Sequence, residues 1–290
     1  MTESAMATTH PDGRAPGFRP TRTLSMRVEL ARQIRRRRTQ LAIGFLAILP
    51  GILAAAFALG GGNGESGAGG LIELATQGGI NFTVFCLLMS VGFLLIVVVA
   101  LFFGDSIASE ASWSSLRYLL TIPIPRSRLL LQKAAVSAVL SIVAIAVLVL
   151  VALALGSALY GVEPLVTPFG DSMAFGSAIG RLAIALGYVV VSLMWIAGLA
   201  LLLSVWTDAP LGAVGGTVMV AILVEILDQI TALGQLRNLL PGHFGFAWTR
   251  AFAPTIDWHD VVIGSFSSVA YAAVFGLLAW IHFSRKDITS

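Results

Sequence analysis

Charge is scarce in this sequence. Only 11% of its 290 residues are Asp, Glu, Lys or Arg, while 57% are hydrophobic; ordinary soluble domains carry roughly 25% charged residues. A soluble core of this length cannot hide so much apolar surface, so the bilayer must act as solvent for much of the chain. Cysteine is scarcer still. Cys86 stands alone in an apolar run, which excludes an intrachain disulfide and reads as a small hydrophobe. Lysine occurs twice, Lys133 after Gln132 and Lys286 after Arg285. A phosphate-binding loop of the form G-x-x-x-x-G-K-[ST] needs its Lys between Gly and Ser or Thr, so the chain lacks that loop. His243, His259 and His282 are scattered without metal-ligand spacing, and no nucleophile–base arrangement can be assembled. No metal and no catalytic residue is expected.

What charge there is lies unevenly. Nine of the eighteen basic residues fall in the first forty positions, six of them between Arg27 and Arg38. Beside a hydrophobic span such a cluster marks a cytoplasmic flank rather than a nucleic-acid site. Residues 1–21, rich in Thr, Pro, Gly and Arg, read as a disordered cytoplasmic tail. From about Thr23, Leu24, Val28, Ala31 and Ile34 share one helical face and Arg27, Arg32 and Arg35 occupy the others. Residues 22–40 are therefore expected to form an amphipathic helix in the membrane interface, its arginines reaching anionic lipid headgroups.

Apolar stretches follow at about 41–59, 80–103, 134–160, 181–205, 210–231 and 260–283. Each reaches the roughly twenty residues that a helix needs to cross about 30 Å of hydrocarbon. Alternating strand patterns are absent, and backbone groups in lipid must satisfy one another. The expected fold is all-α: a polytopic six-span domain over 41–290, its first span an uncleaved anchor. With the amino terminus inside, the inner segments hold fifteen of the eighteen basic residues; only Arg181, Arg237 and Arg250 fall on or beside outer ones. Both termini are thus expected in the cytoplasm of a multi-pass cell-membrane protein, in a bacterial inner membrane.

The inner segment Phe102 to Lys133 is the most informative. Asp105 reads as a helix start with Glu110 in its early turns, over about 105–120. Pro123 and Pro125 break that helix, and Arg126, Arg128 and Lys133 precede the third span. From the residues alone this is either a loop whose basic side chains fix topology, or a surface helix presenting a docking face to a soluble partner.

The order Gly104-Asp-Ser-Ile-Ala-Ser-Glu110, then Leu116-Arg-Tyr-Leu-Leu120, then Pro123 with Arg126 and Arg128, and Lys133 opening the next span, resembles permeases of the type 2 ATP-binding-cassette transporter family. The resemblance extends over roughly residues 22–288, including Arg285 and Asp287 near the end. It implies that Asp105, Glu110, Arg117, Pro123, Arg126, Arg128 and Lys133 couple to a cytoplasmic nucleotide-binding ATPase. ATP and magnesium would sit on that partner, with no cofactor on this chain. A second permease copy, or a related permease, would complete the pathway. It also implies outward transport, and the nearly charge-free spans suit a hydrophobic or amphiphilic cargo such as a drug, an antibiotic or a lipid. By the same resemblance the 232–259 loop holds short helices dipping into the outer leaflet, with Phe244, Phe246 and Trp248 at the interface. These aromatics fit either simple anchoring or a role in substrate exit.

Only the fifth span carries ionisable groups well inside it. Glu225 and Asp228, three residues apart, share a helical face. Glu225 lies about 22 Å along the helix from Pro210. Such carboxylates must face a cavity, a partner or the outer headgroups. They leave an alternative open: an ion-coupled secondary carrier or channel using Glu225 and Asp228. A membrane-bound lipid enzyme using Asp105 and Glu110 is a third reading.

Overall fold

A computed structural model describes residues 26–59, 68–112, 126–167 and 171–285. Its helices are α1 (Met26–Ile34), α2 (Arg37–Leu59), α3 (Ala68–Ala75), α4 (Gly79–Val91), α5 (Leu94–Ser112), α6 (Arg126–Tyr160), α7 (Phe175–Ser192), α8 (Met194–Trp206), α9 (Pro210–Asp228) and α10 (Trp258–Arg285). Two short 3-10 helices, Thr231–Leu239 and Ala247–Phe252, lie between α9 and α10. Six stretches among the described residues are long and apolar enough to cross a membrane: α2, α5, α6, α7 with α8, α9 and α10. This is the architecture of an all-α polytopic membrane protein, relieved among the described residues by the two-residue strands β1 (Leu165–Val166) and β2 (Ser172–Met173), paired antiparallel.

The spans fall where the apolar runs place them, with three differences. The second is α4 followed by α5, bent at Gly92–Phe93 where the helix loosens into a turn. The fourth is likewise divided, at Leu193. The third starts at Arg126, eight residues earlier than the apolar pattern shows, because polar and basic residues can continue a helix past the hydrocarbon. At about 1.5 Å per residue α6 is some 52 Å long, so one end projects well beyond a 30 Å core.

The helices meet closely where side chains vanish. A Cβ on Gly156 of α6 would stand 2.9 Å from the Gly79 carbonyl oxygen and 3.1 Å from Phe82 Cβ of α4. One on Gly198 of α8 would stand 2.9 Å from Ala272 Cα of α10, and one on Gly104 of α5 would meet the Val214 side chain of α9 at 2.9 Å. Lipid tails are as apolar as the helices, so close backbone approach and van der Waals contact, rather than hydrophobic exclusion, hold such a bundle together. Cys86 is fully buried beside Phe82, Ala54 and Ala152, the environment of a small hydrophobe. Ser204 Oγ on α8 accepts from the Ile107 and Ala108 amides of α5, both at 3.1 Å, and ties these helices at one end of the bundle.

The amino-terminal helix differs most from expectation. It covers Met26–Ile34, the chain turns, and Arg37 already opens α2. Its apolar residues Val28 and Ile34 face outward, while Glu29 and Gln33 are buried. The side turned to the bundle thus carries Glu29 and Gln33 beside the partly buried Leu30. Its apolar side is left for another apolar surrounding.

Candidate functional site

Where α1, α5 and α6 meet, three charged side chains are withdrawn from solvent: Glu29 is 6% exposed, Glu110 3% and Lys133 3%. The Lys133 Nζ donates to Glu29 Oε1 at 2.6 Å and to Glu110 Oε1. Arg32 Nη2 donates to the same two atoms, at 2.9 Å to Glu29 and 2.5 Å to Glu110. Gln33 Nε2 adds a 3.2 Å bond to Glu29. One helix turn away along α5, Asp105 accepts from Arg36 Nη1 at 3.0 Å and Arg38 Nη1 at 2.6 Å, and Arg36 reaches Ser109 Oγ at 3.2 Å. Two carboxylates from α5, one from α1 and four cations thus form two neighbouring clusters around the joint between α1 and α2.

Burial pushes the Glu29 carboxyl up, but the Lys133 ammonium and Arg32 guanidinium more than reverse this and leave it below its ordinary value of 4.5. Burial likewise works against the Arg32 charge, and its bonds to Glu29 and Glu110 outweigh it, raising Arg32 above its ordinary value. The sign follows by linkage. A carboxyl depressed in the folded state contributes stability above its unfolded value, and that contribution is lost as pH falls through the lower, folded value. Thermal stability should therefore fall on acidification in a window that begins near 4.5 and extends below it. Melting of the purified protein along a pH series should show a shallower fall for Glu29→Gln than for the parent. Equal slopes would contradict the assignment.

This geometry corrects the expected surface helix. Asp105 does not start a helix: α5 runs unbroken through it to Ser112, because the apolar face continues through Ile107 and Ala108. Glu110 is buried and accepts from Lys133 and Arg32. Arg32, expected at lipid headgroups, is held by Glu29 and Glu110 instead. Arg126 Nη1 donates to the Phe283 and Ser284 carbonyl oxygens at 3.5 and 3.2 Å, closing the exposed end of α10, a favourable place for a cation. Arg128 is half-buried two residues on. Arg117 and Pro123 lie outside the described residues, as do 1–25, which include the expected tail and the start of the expected interfacial helix.

Glu29 is the residue that sequence reasoning missed. The available signal was its position as the one acid between Arg27 and Arg38, three residues before Arg32.

At the opposite end of the bundle the two carboxylates of α9 part company. Asp228 Oδ1 lies 2.5 Å from His243 Nδ1 and 3.5 Å from Arg237 Nε, so it anchors the loop that follows. Glu225 has no hydrogen-bond or ion-pair partner among the described residues. It lines a groove of about 360 Å³ between α9 and the bend at Gly92–Phe93, otherwise walled by Ile96, Ala221 and Ile222. The aromatics of the segment between α9 and α10 also divide. Phe246 is 43% exposed, whereas Trp248 is fully buried, which corrects its placement at an interface. Phe244 is held by its backbone, its carbonyl oxygen accepting from Tyr188 Oη at 2.6 Å. Arg181, on α7, fixes the same loop by donating to Ala251 O at 3.0 Å and Ala253 O at 3.3 Å.

A family model described as "Protein of unknown function (DUF2705)" matches residues 56–289. The match takes in Asp105, Glu110, Lys133, Glu225 and Asp228 but not α1. No curated protein matches the chain. With most of its length inside that family model, the chain belongs to the family.

Proposed function

We propose that this member of the DUF2705 family is the membrane-spanning permease subunit of an ATP-binding-cassette exporter, carrying a hydrophobic or amphiphilic substrate outward. ATP is hydrolysed, with magnesium, on a separate cytoplasmic subunit. The observation that carries the reading is the buried charge network of Glu29, Arg32, Glu110 and Lys133, placed where α5 and α6 flank residues 113–125. That segment holds the rest of the motif that resembles type 2 permeases. The network end is cytoplasmic, both termini are inside, and the Asp228 end faces outward, in keeping with the distribution of basic residues.

In this reading the ATPase docks on the segment between α5 and α6. Movement there reaches α1 through Glu110, Arg32 and Lys133, and reaches the α1–α2 joint through Asp105 and its two arginines. The network then acts as a rigid joint between docking segment and spans, and nucleotide binding shifts the population between inward- and outward-open arrangements. The exposed apolar side of α1 lies in the inner leaflet. A second permease copy, or a related permease, covers the Glu225 groove, because a carboxylate left against lipid costs several kcal/mol. Met219, Leu223 and Ile226 on the same helix are exposed and apolar, as a surface shared between copies requires.

Arg117→Glu should abolish stimulation of the partner ATPase while leaving membrane insertion and thermal stability unchanged. Full stimulation in that variant would place the docking surface elsewhere. A second reading, an ion-coupled carrier, has one observation in its favour, the unpartnered Glu225 beside a groove. It requires transport that follows a pH or ion gradient without an ATPase and is lost in Glu225→Gln.

A further inference from the structure

Behind the outer loop lies a partly open chamber of about 170 Å³, bordered by α3, α4, β1 and the Ala247–Phe252 helix, with Leu74, Phe85, Leu88 and Leu165 in its walls. Among the described residues, no ionisable side chain lines it. Two of its lining residues nevertheless carry polar atoms that are buried without a hydrogen-bond partner, the indole Nε1 of Trp248 and the hydroxyl of Thr167. A buried Trp N–H ordinarily finds a partner, and leaving such a group unsatisfied costs about 1–3 kcal/mol. The Trp248 ring lies edge-on to Phe252, with centroids 6.2 Å apart. Asn81, another lining residue, is engaged: its side-chain amide donates to Val166 O at 2.7 Å and accepts from Val166 N at 3.1 Å. That double bond fixes β1, and with it Thr167, against α4.

Three of the lining residues, Thr167, Thr249 and Phe252, also line a larger vestibule of about 630 Å³. The vestibule is polar: Arg250 and Asp260, paired at 3.3 Å, line it beside the His243 ring. An apolar, charge-free inner compartment with a hydrogen-bond donor thus adjoins a polar outer one.

We propose that the chamber is a binding site, within a single subunit, for a neutral apolar group bearing a carbonyl oxygen, which accepts from Trp248 Nε1 and Thr167 Oγ1 after a small side-chain rotation. The volume limits what enters. An apolar cavity of about 150 Å³ holds benzene, so one ring or a chain of a few carbons fits, and a charged remainder extends into the vestibule toward Arg250 and Asp260. The site stands apart from the Glu225 groove and does not depend on an ATPase.

Acetophenone and isopropylbenzene, nearly equal in shape but differing in the carbonyl, separate this from simple apolar filling. With ¹⁵N-labelled tryptophan in lipid nanodiscs, the Trp248 indole resonance is assigned by its loss in Trp248→Phe, and the remaining indole signals report that the fold is kept. Acetophenone should move the Trp248 signal saturably and isopropylbenzene should not. Thr167→Val, equal in shape, should weaken acetophenone binding about fivefold, the equivalent of one hydrogen bond. Leu165→Trp, which fills the chamber, should abolish it. The same response to both compounds, or no saturable response to either, overturns the proposal.

Discussion

Replacing Lys133 with methionine should destabilise the folded protein by about 3–5 kcal/mol, the usual consequence of removing one partner from a buried ion pair. The side chain is 3% exposed and bonds two carboxylates from different helices. Without it, Glu29 and Glu110 share only Arg32, whose side chain is 46% exposed and less able to offset burial. Either a carboxyl takes up a proton or α1 leaves the bundle. Chemical denaturation in nanodiscs measures the loss. A cysteine placed at Gln33 distinguishes the two routes, because Cys86 is buried and does not compete for the label. Labelling at position 33 should rise in Lys133→Met. Adding Glu110→Gln should recover part of the stability, since the uncompensated charge is then removed, and strict additivity of the two changes would deny the coupling. A loss under about 1 kcal/mol for Lys133→Met would mean that the network does not hold α1.

Gly156→Leu should be comparably damaging. Its Cβ alone would crowd the Gly79 carbonyl at 2.9 Å and Phe82 at 3.1 Å, and the leucine branch has nowhere to go but between α4 and α6. Overpacking typically costs about 1–3 kcal/mol and more where backbone must move; here the obstruction is backbone. Gly187→Leu on α7 is the control, since a Cβ there meets nothing within 4 Å. The yield of monodisperse protein should collapse for the first variant and hold for the second. Equal yields would mean that α4 and α6 are not packed backbone to backbone.

These two sites show what a sequence can reveal here. The six spans were legible because lipid imposes a local rule: about twenty apolar residues in a row, a rule that each run satisfies by itself. The interruptions at Gly92–Phe93 and Leu193 were not, because the apolar pattern runs through them without a break. The charge network is the clearest case. Lys133 and Glu29 are 104 residues apart, and Glu110 and Arg32 are 78 apart. Nothing local says that a charged residue near a span will be buried rather than solvated, and Asp105 looked like a helix start because its partners Arg36 and Arg38 are remote. In α1 the apolar stripe was visible in the period, but the opposite side was not: nothing local says that Glu29 turns inward to Lys133. The Trp248 position was illegible for a related reason. An aromatic in an outer loop fits an interface and a core equally well until the strand at Leu165 and helix α3 are placed around it.

The permease reading is tested most directly by purifying the tagged protein from its native membrane in mild detergent and identifying what accompanies it by mass spectrometry. A nucleotide-binding ATPase recovered in stoichiometric amount, and lost from the Arg117→Glu variant, is the expected result. Repeated recovery of the protein with no ATPase, under conditions that keep a known transporter complex intact, would contradict it and direct the search to an ion-coupled mechanism at Glu225.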